Sequence, residues 1–170
     1  DPSHDGPQPR GKQVKNPEGI WYTPVTGIWQ TVWIEPVNAK NISELKTTPN
    51  IDQNTISIKA DINGAEKGDL VEVSVFDGGK EIAKEKAVVG ESNDIVLNSP
   101  KLWSPENPFL YQTKIRLISK NKVVDEVKSY FAMRKISSKR DENGIMRMQL
   151  NNKDYFQFGP LDQGWWPEGL

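Results

Sequence analysis

Short stretches in which hydrophobic and polar residues alternate fill the middle of the chain, between residues 39 and 136. Alternation with a period of two is typical of β-strands that bury one face. The stretches are seven in number, and they cover residues 43–48, 55–62, 71–75, 82–89, 95–97, 111–117 and 123–133. No helical period interrupts them. Seven short strands within about 100 residues predict an all-β fold, an immunoglobulin-like seven-stranded sandwich.

Turn sequences separate the predicted strands. Asp-Gly-Gly-Lys at residues 77–80 is a strong hairpin signal, because two glycines accept the positive φ of a type I′ turn. Residues 119–122 predict another tight turn. Tyr111 opens the sixth predicted strand after a long loop, where sandwiches of this kind often place a tyrosine whose hydroxyl ties down the corner. Glu72 and Asp125 are predicted to lie on outer faces as solvated charges.

The two flanks differ in character from the middle. In residues 20–37, large apolar side chains occupy both faces of a predicted strand at 28–35, which therefore needs cover on both sides. One strand alone is unstable in water, so we expect either that its partners are missing from this chain or that the middle domain supplies the cover. Residues 137–170 predict a small hairpin, one more strand at 155–158 and an exposed aromatic loop. The sequence thus predicts three parts, residues 1–37, 38–136 and 137–170.

Charge and composition exclude several function classes. The chain has 22 basic and 23 acidic residues, well interspersed, so no basic face for nucleic acid is predicted. No apolar run approaches the roughly 18 residues of a membrane span. Cysteine is absent and His4 is the only histidine. Thiol catalysis is therefore excluded, and a Ser-His-Asp triad or a histidine-rich metal site is not expected. No metal and no cofactor are predicted.

Three segments together resemble glycoside hydrolase family 2, the family of β-galactosidases, β-glucuronidases and β-mannosidases. Residues 26–37 (TGIWQTVWIEPV) resemble the last strand of its N-terminal sugar-binding jelly roll. Residues 102–111 (LWSPENPFLY) resemble a segment of its immunoglobulin-like middle domain. Residues 130–136 (YFAMRKI), followed by 150–159 (LNNKDYFQFG), resemble the exit from that domain and the entry into the first strand of a (β/α)8 barrel. The order and spacing of these segments carry the resemblance.

The resemblance implies a catalytic barrel after this point, in which two glutamates hydrolyse a glycoside with retention. The acid/base glutamate of the family follows an asparagine, and this chain has no Asn-Glu dipeptide. A barrel also needs about 250 residues, far more than follow Ile136. No catalytic residue is therefore expected here. The resemblance implies that this chain is the non-catalytic part of a retaining, β-galactosidase-like exo-glycosidase of carbohydrate metabolism. It would act as a spacer between the jelly roll and the barrel. Its partners would be these two domains and the carbohydrate substrate.

Candidate sugar contacts follow from the same resemblance. In the family, the loop after the first barrel strand reaches the sugar, often through an arginine and a histidine, both replaced here. Asp162 or Gln163 could hydrogen-bond a sugar hydroxyl, and Trp165 or Trp166 could stack on an apolar sugar face. The alternative is that the two tryptophans pack the barrel mouth against the jelly roll.

Aromatic residues in and beside the middle domain are predicted to pack between domains. They are Trp29, Trp33, Trp103 and Tyr111. A different class of function stays open, in which the chain is a stand-alone sandwich that binds carbohydrate or protein through its exposed tryptophans without catalysis. The sequence also leaves open which sugar is cleaved, the oligomeric state and the compartment, with a periplasmic or secreted bacterial enzyme as the expectation for the parent protein.

Overall fold

A computed structural model describes residues 12–24, 27–28 and 30–161. The chain divides into two compact units. One unit, Pro36–Gln157, contains every strand of the described residues. The other unit comprises the described residues before Pro36 and after Gln157. Within it, Gln13 and Tyr22 form a parallel bridge, and the Tyr22 N–H donates to the carbonyl of Lys12 at 2.9 Å.

Seven consecutive strands form the sandwich, as the alternating pattern predicts. They are β1 (Asn41–Asn50), β2 (Thr55–Asn63), β3 (Leu70–Asp77), β4 (Lys80–Val88), β5 (Asn93–Val96), β6 (Tyr111–Ser119) and β7 (Lys122–Phe131). The described residues contain no helix. At the predicted type I′ turn, Asp77 pairs with Lys80, and both glycines between them have positive φ, 56° and 88°.

Two antiparallel sheets make up the sandwich. One has the order β1-β2-β5 and the other β4-β3-β6-β7. In the constant type of immunoglobulin domain the fourth strand joins the sheet of the first two. Here β4 pairs with β3 instead, which leaves β4 and β7 at the two edges of the larger sheet.

The core lies between the inner faces of the two sheets, where the predicted apolar positions meet. The side chains of Ile56, Ile58, Val73, Val75 and Ile115 are fully buried there. Burying each aliphatic side chain of this size contributes about 1.5–3 kcal/mol. The alternation in the sequence therefore reports the inner faces correctly.

A second small sheet follows the sandwich, and we call it the exit sheet. It consists of β8 (Ile136–Arg140), β9 (Met146–Leu150) and β10 (Lys153–Asp154), in the order β10-β9-β8. Asn151 and Asn152 form the two-residue turn between β9 and β10, with φ of 52° and 65°. Asparagine tolerates this left-handed conformation better than most residues do, which favours it at a type I′ turn.

Two predicted strands are absent from the structure. The described residues of the segment 28–35 form no strand, and Ile34 is 98 % exposed. Residues 155–158 after β10 also form none, and Phe158 is 92 % exposed. Neither strand forms in the described residues, for the same reason. A strand needs a neighbour that accepts and donates its backbone hydrogen bonds along its length. The described residues of 28–35 lie in no ladder, and 155–158 have a single bond to β9, from the Tyr155 N–H to the Met148 carbonyl at 3.0 Å.

Candidate functional site

Most of the predicted site residues lie outside the described part of the chain. These are Trp29 and all four candidate sugar contacts, Asp162, Gln163, Trp165 and Trp166. Trp33 belongs to the smaller unit and is 73 % exposed. Trp103 and Tyr111 belong to the sandwich, and the structure places them in different roles.

Tyr111 packs inside the sandwich rather than between domains. Its side chain is 2 % exposed, and its ring lies edge-on to Phe109, 4.9 Å between centroids, and stacked on Phe131 at 5.3 Å. The hydroxyl accepts a hydrogen bond from the backbone N–H of Lys101 at 2.8 Å. The predicted corner tyrosine is therefore present. The burial of its ring corrects the prediction that Tyr111 packs between domains.

Trp103 lies at a groove between the edge strands β1 and β7. Its N–H donates to the carbonyl of Met133 at 2.9 Å, and the Arg134 guanidinium lies 4.9 Å from its ring centroid. The groove has a volume of about 440 Å³. Its wall includes the exposed side chains of Tyr130 and Ile136. The groove lies beside the start of the exit sheet.

Asn151 ties the exit sheet to the sandwich, and we call its contacts the exit junction. The Asn151 amide nitrogen Nδ2 donates to the carbonyl of Trp103 at 2.9 Å, and Oδ1 accepts from the Lys135 N–H at 3.0 Å. The Asn151 N–H donates in turn to the carbonyl of Lys135 at 2.8 Å. One turn residue thus joins three segments that are far apart in sequence.

Two carboxylates reinforce the exit junction. Asp52, in the turn between β1 and β2, accepts from Lys135 Nζ at 2.5 Å and from Asn152 Nδ2 at 2.7 Å. These two hydrogen bonds hold the pKa of Asp52 below its usual value. Glu106 accepts from the Tyr155 hydroxyl at 2.9 Å, which raises the pKa of Tyr155. Sequence reasoning missed these partners, and only the asparagine turn was visible as a signal.

A cluster that we call the entry junction lies at the other end of the sandwich, where the chain enters β1. Lys40 Nζ lies 2.7 Å from Asp69 Oδ2, 2.9 Å from Ser119 Oγ and 3.3 Å from Glu66 Oε2. Asp69 is 3 % exposed. Hydrogen bonds from Lys40, from the Ser119 hydroxyl and from the Glu66 N–H lower the pKa of Asp69 to about 2. The buried carboxylate is therefore ionised and fully partnered.

Asp125 extends the entry junction. Its Oδ2 accepts from the Ile42 N–H at 2.8 Å, and Asn38 Nδ2 donates to the carbonyl of Val124 at 2.7 Å. The expectation that Asp125 and Glu72 are solvated charges is wrong. Glu72 is 8 % exposed and lies 3.1 Å from Lys86 Nζ, because the long side chains around it cover the outer face of the sheet.

The entry and exit junctions lie at opposite ends of β1. Asn41 begins this strand beside the entry junction, and Asp52 follows its last residue at the exit junction. A strand rises about 3.3 Å per residue, so ten residues separate the two ends by about 30 Å. The sandwich thus has a hydrogen-bonded polar cluster, which we call a clamp, at each end of β1.

The acidic side chains of the two junctions already have partners. The carboxylates at both junctions bind cations and N–H groups. In residues 12–24, 27–28 and 30–161, no cluster of three histidine, cysteine, aspartate or glutamate side chains could hold a metal ion. Among the same residues, no helix could cross a membrane.

The sandwich is the part of the chain that matches a known family. The model of the glycosyl hydrolases family 2 matches residues 40–134, which run from Lys40 of the entry junction to Arg134 beside Trp103. The chain belongs to glycosyl hydrolases family 2. The resemblance predicted from the three sequence segments is thereby confirmed.

Relatives within glycosyl hydrolases family 2 extend the match beyond the sandwich. A protein of Formosa agariphila named "Putative beta-glucuronidase" is 32 % identical in an alignment 163 residues long that covers 88 % of this chain and 16 % of that protein. A solved glycosyl hydrolase family 2 member from Bacteroides cellulosilyticus superposes with a TM-score of 0.54 at 27 % identity, over 69 % of this chain and 17 % of that one. A β-glucuronidase from Ruminococcus gnavus shares the fold, with a TM-score of 0.58 at 18 % identity, over 71 % of this chain and 20 % of that one. The chain thus spans about a sixth of the length of the curated relative.

Proposed function

We propose that this chain is the non-catalytic spacer of a retaining exo-glycosidase, placed between a jelly-roll domain that ends within residues 1–37 and a barrel that begins within 137–170. The observation that carries the proposal is the pair of clamped ends. Lys40 with Asp69 fixes the chain where it enters the sandwich, and Asn151 with Trp103 fixes it where it leaves. A spacer that holds two domains in register needs stiff ends as well as a stiff middle.

Three further roles belong to the proposal. Trp33 and the groove beside Trp103 contact the neighbouring domains, which would cover the apolar surface that is exposed in this chain. Asp162 or Gln163 hydrogen-bonds a sugar hydroxyl in the completed active site. Trp165 and Trp166 stack on the sugar or line the barrel mouth. The catalytic glutamates lie in the barrel.

The substrate class is a β-linked terminal sugar. The names of the relatives include beta-glucuronidase, so a β-glucuronide is the first substrate to test, followed by a β-galactoside. The purified chain of 170 residues and the full-length protein are assayed on the same nitrophenyl glycosides. We expect turnover by the full-length protein alone. Turnover by the chain would overturn the non-catalytic assignment, and an inactive full-length protein that binds glycans would support a binding module.

The spacer role has its own test in the full-length protein. Asn151→Gly removes both side-chain hydrogen bonds of the exit junction while the left-handed turn is kept, and we expect kcat/KM to fall. Asn121→Gly is the matched control, because Asn121 occupies a similar turn with φ of 62° and its side chain makes no hydrogen bond within the described residues. If both variants keep full activity, the clamped end does not serve catalysis.

A further inference from the structure

The outer face of the larger sheet carries a row of lysines. Register pairs Ser74 with Lys84 on one side and with Lys114 on the other, and pairs Lys114 with Lys128. The row crosses four adjacent strands, and three of them, β4, β6 and β7, contribute an ammonium group to it. Like charges directly opposite each other destabilise a sheet, so this row costs stability unless an anion lies over it.

The neighbouring row on the same face is balanced in charge. Lys86 and Arg116 flank Glu72 at 3.1 and 3.5 Å, and Arg116 also lies 2.7 Å from Glu126. In the lysine row, Lys84 pairs with Glu81 at 3.4 Å. Within the part of the chain that the structure describes, neither Lys114 nor Lys128 takes part in an ion pair. Both lysines help to lower the pKa of Glu126, but that carboxylate is already paired with Arg116, so the positive charge at these two residues is only partly offset.

A groove of about 310 Å³ lies at these two lysines. We call it the lysine groove, and it is lined by Phe76, Gly79, Gln112, Thr113, Lys114, Lys128 and Ser129. Its volume falls at the lower end of the range for small-molecule sites. Phe76 contributes a partly buried ring, and Lys114 Nζ lies 5.9 Å from the ring centroid. An apolar ring beside two ammonium groups that lack an ion pair in the described residues matches a ligand with both an apolar face and negative charge.

The smaller sheet offers an internal comparison. Lys46 and Lys59 also lie opposite each other, on β1 and β2. The next row there pairs Glu44 with Asp61, so two acidic residues offset the two lysines. An opposed lysine pair alone is thus not distinctive. The lysine groove differs by its aromatic wall and its unbalanced charge.

We propose that the lysine groove is a non-catalytic binding site for an anionic oligosaccharide. Lys114 and Lys128 receive carboxylate or sulfate groups of the sugar, and Phe76 packs against the apolar face of one ring. The choice of a sugar rests on the proposed function, since an acidic peptide would satisfy the lysines but has no rigid apolar face for the ring. The site would hold an anionic glycan on the enzyme outside the barrel.

Backbone amide shifts of the purified chain test the lysine groove. The probes are trigalacturonate, a κ-carrageenan tetrasaccharide as the sulfated ligand, and maltotriose as the neutral one. We expect an anionic probe to shift the amides of residues 76–79, 112–114 and 128–130, and maltotriose to leave them unchanged. The anionic probe that binds more tightly identifies the acidic group. Binding should weaken as salt rises from about 0.05 to about 0.5 M.

Two double variants separate a site from general attraction. Lys114→Gln with Lys128→Gln should lower affinity about fivefold, the expected effect of losing two exposed charge contacts. Lys46→Gln with Lys59→Gln removes the same charge from the other sheet and should leave affinity unchanged. All four residues lie on the outer faces of the sheets, so both variants should fold, which thermal unfolding checks.

Each contrary outcome overturns the site. The site is ruled out if neither anionic probe binds, or if both double variants lose the same amount of affinity. It is also ruled out if polyglutamate binds more tightly at the same amides. The result is independent of the spacer proposal, because hydrolysis by the full-length protein is measured with the lysines unaltered. Failure at the groove with normal hydrolysis counts against the site alone, and an inactive full-length protein counts against the proposed function alone.

Discussion

Replacing Asn151 with glycine in the purified chain isolates the energy of the exit junction. The substitution removes the donor to the Trp103 carbonyl and the acceptor of the Lys135 N–H, at 2.9 and 3.0 Å. The backbone bond from Asn151 to Lys135 is kept. Since φ is 52° at this residue, glycine introduces no strain.

The expected magnitude follows from the two lost bonds. A neutral hydrogen bond contributes about 1 kcal/mol net, so the exit sheet should lose about 2 kcal/mol of stability relative to the sandwich. That free energy corresponds to a roughly 30-fold larger opening constant for the exit sheet. The core strands make none of the deleted contacts, so their opening should not change.

Native-state amide hydrogen exchange reads both regions in one experiment. We expect faster exchange at the paired amides of β8 and β9, with protection in β3 and β6 unchanged. Asn121→Gly, at the turn between β6 and β7, controls for the replacement of asparagine by glycine. The claim that Asn151 stabilises the exit sheet would be refuted if protection fell equally in the sandwich and the exit sheet. It would also be refuted if protection changed in neither.

Three further predictions concern stability. Tyr111→Phe should lower the free energy of unfolding by about 1–2 kcal/mol, because the Lys101 N–H loses its acceptor. Tyr130→Phe, at an exposed ring, should be nearly neutral in the same thermal denaturation. The pKa of Asp69 is lowered from 3.8 to about 2, so its stabilisation is complete above about pH 4 and is lost as pH falls toward 2. In denaturant titrations, Asp69→Asn should have a lower free energy of unfolding at neutral pH and should lose less of it between about pH 4 and about pH 2. An equal loss in the variant and in the unaltered chain would contradict the assignment. Gly64→Ala should destabilise by about 1–3 kcal/mol, because φ is +68° and a Cβ would lie 2.8 Å from the Ala39 carbonyl oxygen. Gly68→Ala, at φ of +93° with open space around it, should show the smaller cost of backbone strain alone.

The sandwich was predictable because its signals are local. Alternation marks inner faces, and the Asp-Gly-Gly-Lys turn and the corner position of Tyr111 depend on nearby residues only. The structure confirms each, including the hydroxyl of Tyr111 as acceptor from Lys101. These features need no knowledge of which strands meet.

The two failed strands show where local signals stop. Residues 28–35 carry large apolar side chains on both faces of the predicted strand, yet such a pattern predicts burial and does not supply a partner. The junctions were missed for a related reason. Lys135 meets Asp52 across 83 positions of sequence, and no period along the chain links such a pair. Polar β8 was also missed, since Ile136–Arg140 has little apolar alternation.

The strand at one edge of the larger sheet has a consequence for self-association. β4 pairs only with β3, so its outer side offers free backbone groups to another chain. Five of its nine residues are charged, and Glu85 projects to the same side as buried Val73. Charged and inward-pointing acidic residues on an edge block the addition of a foreign strand. Amyloid-like stacking along this edge is thereby opposed.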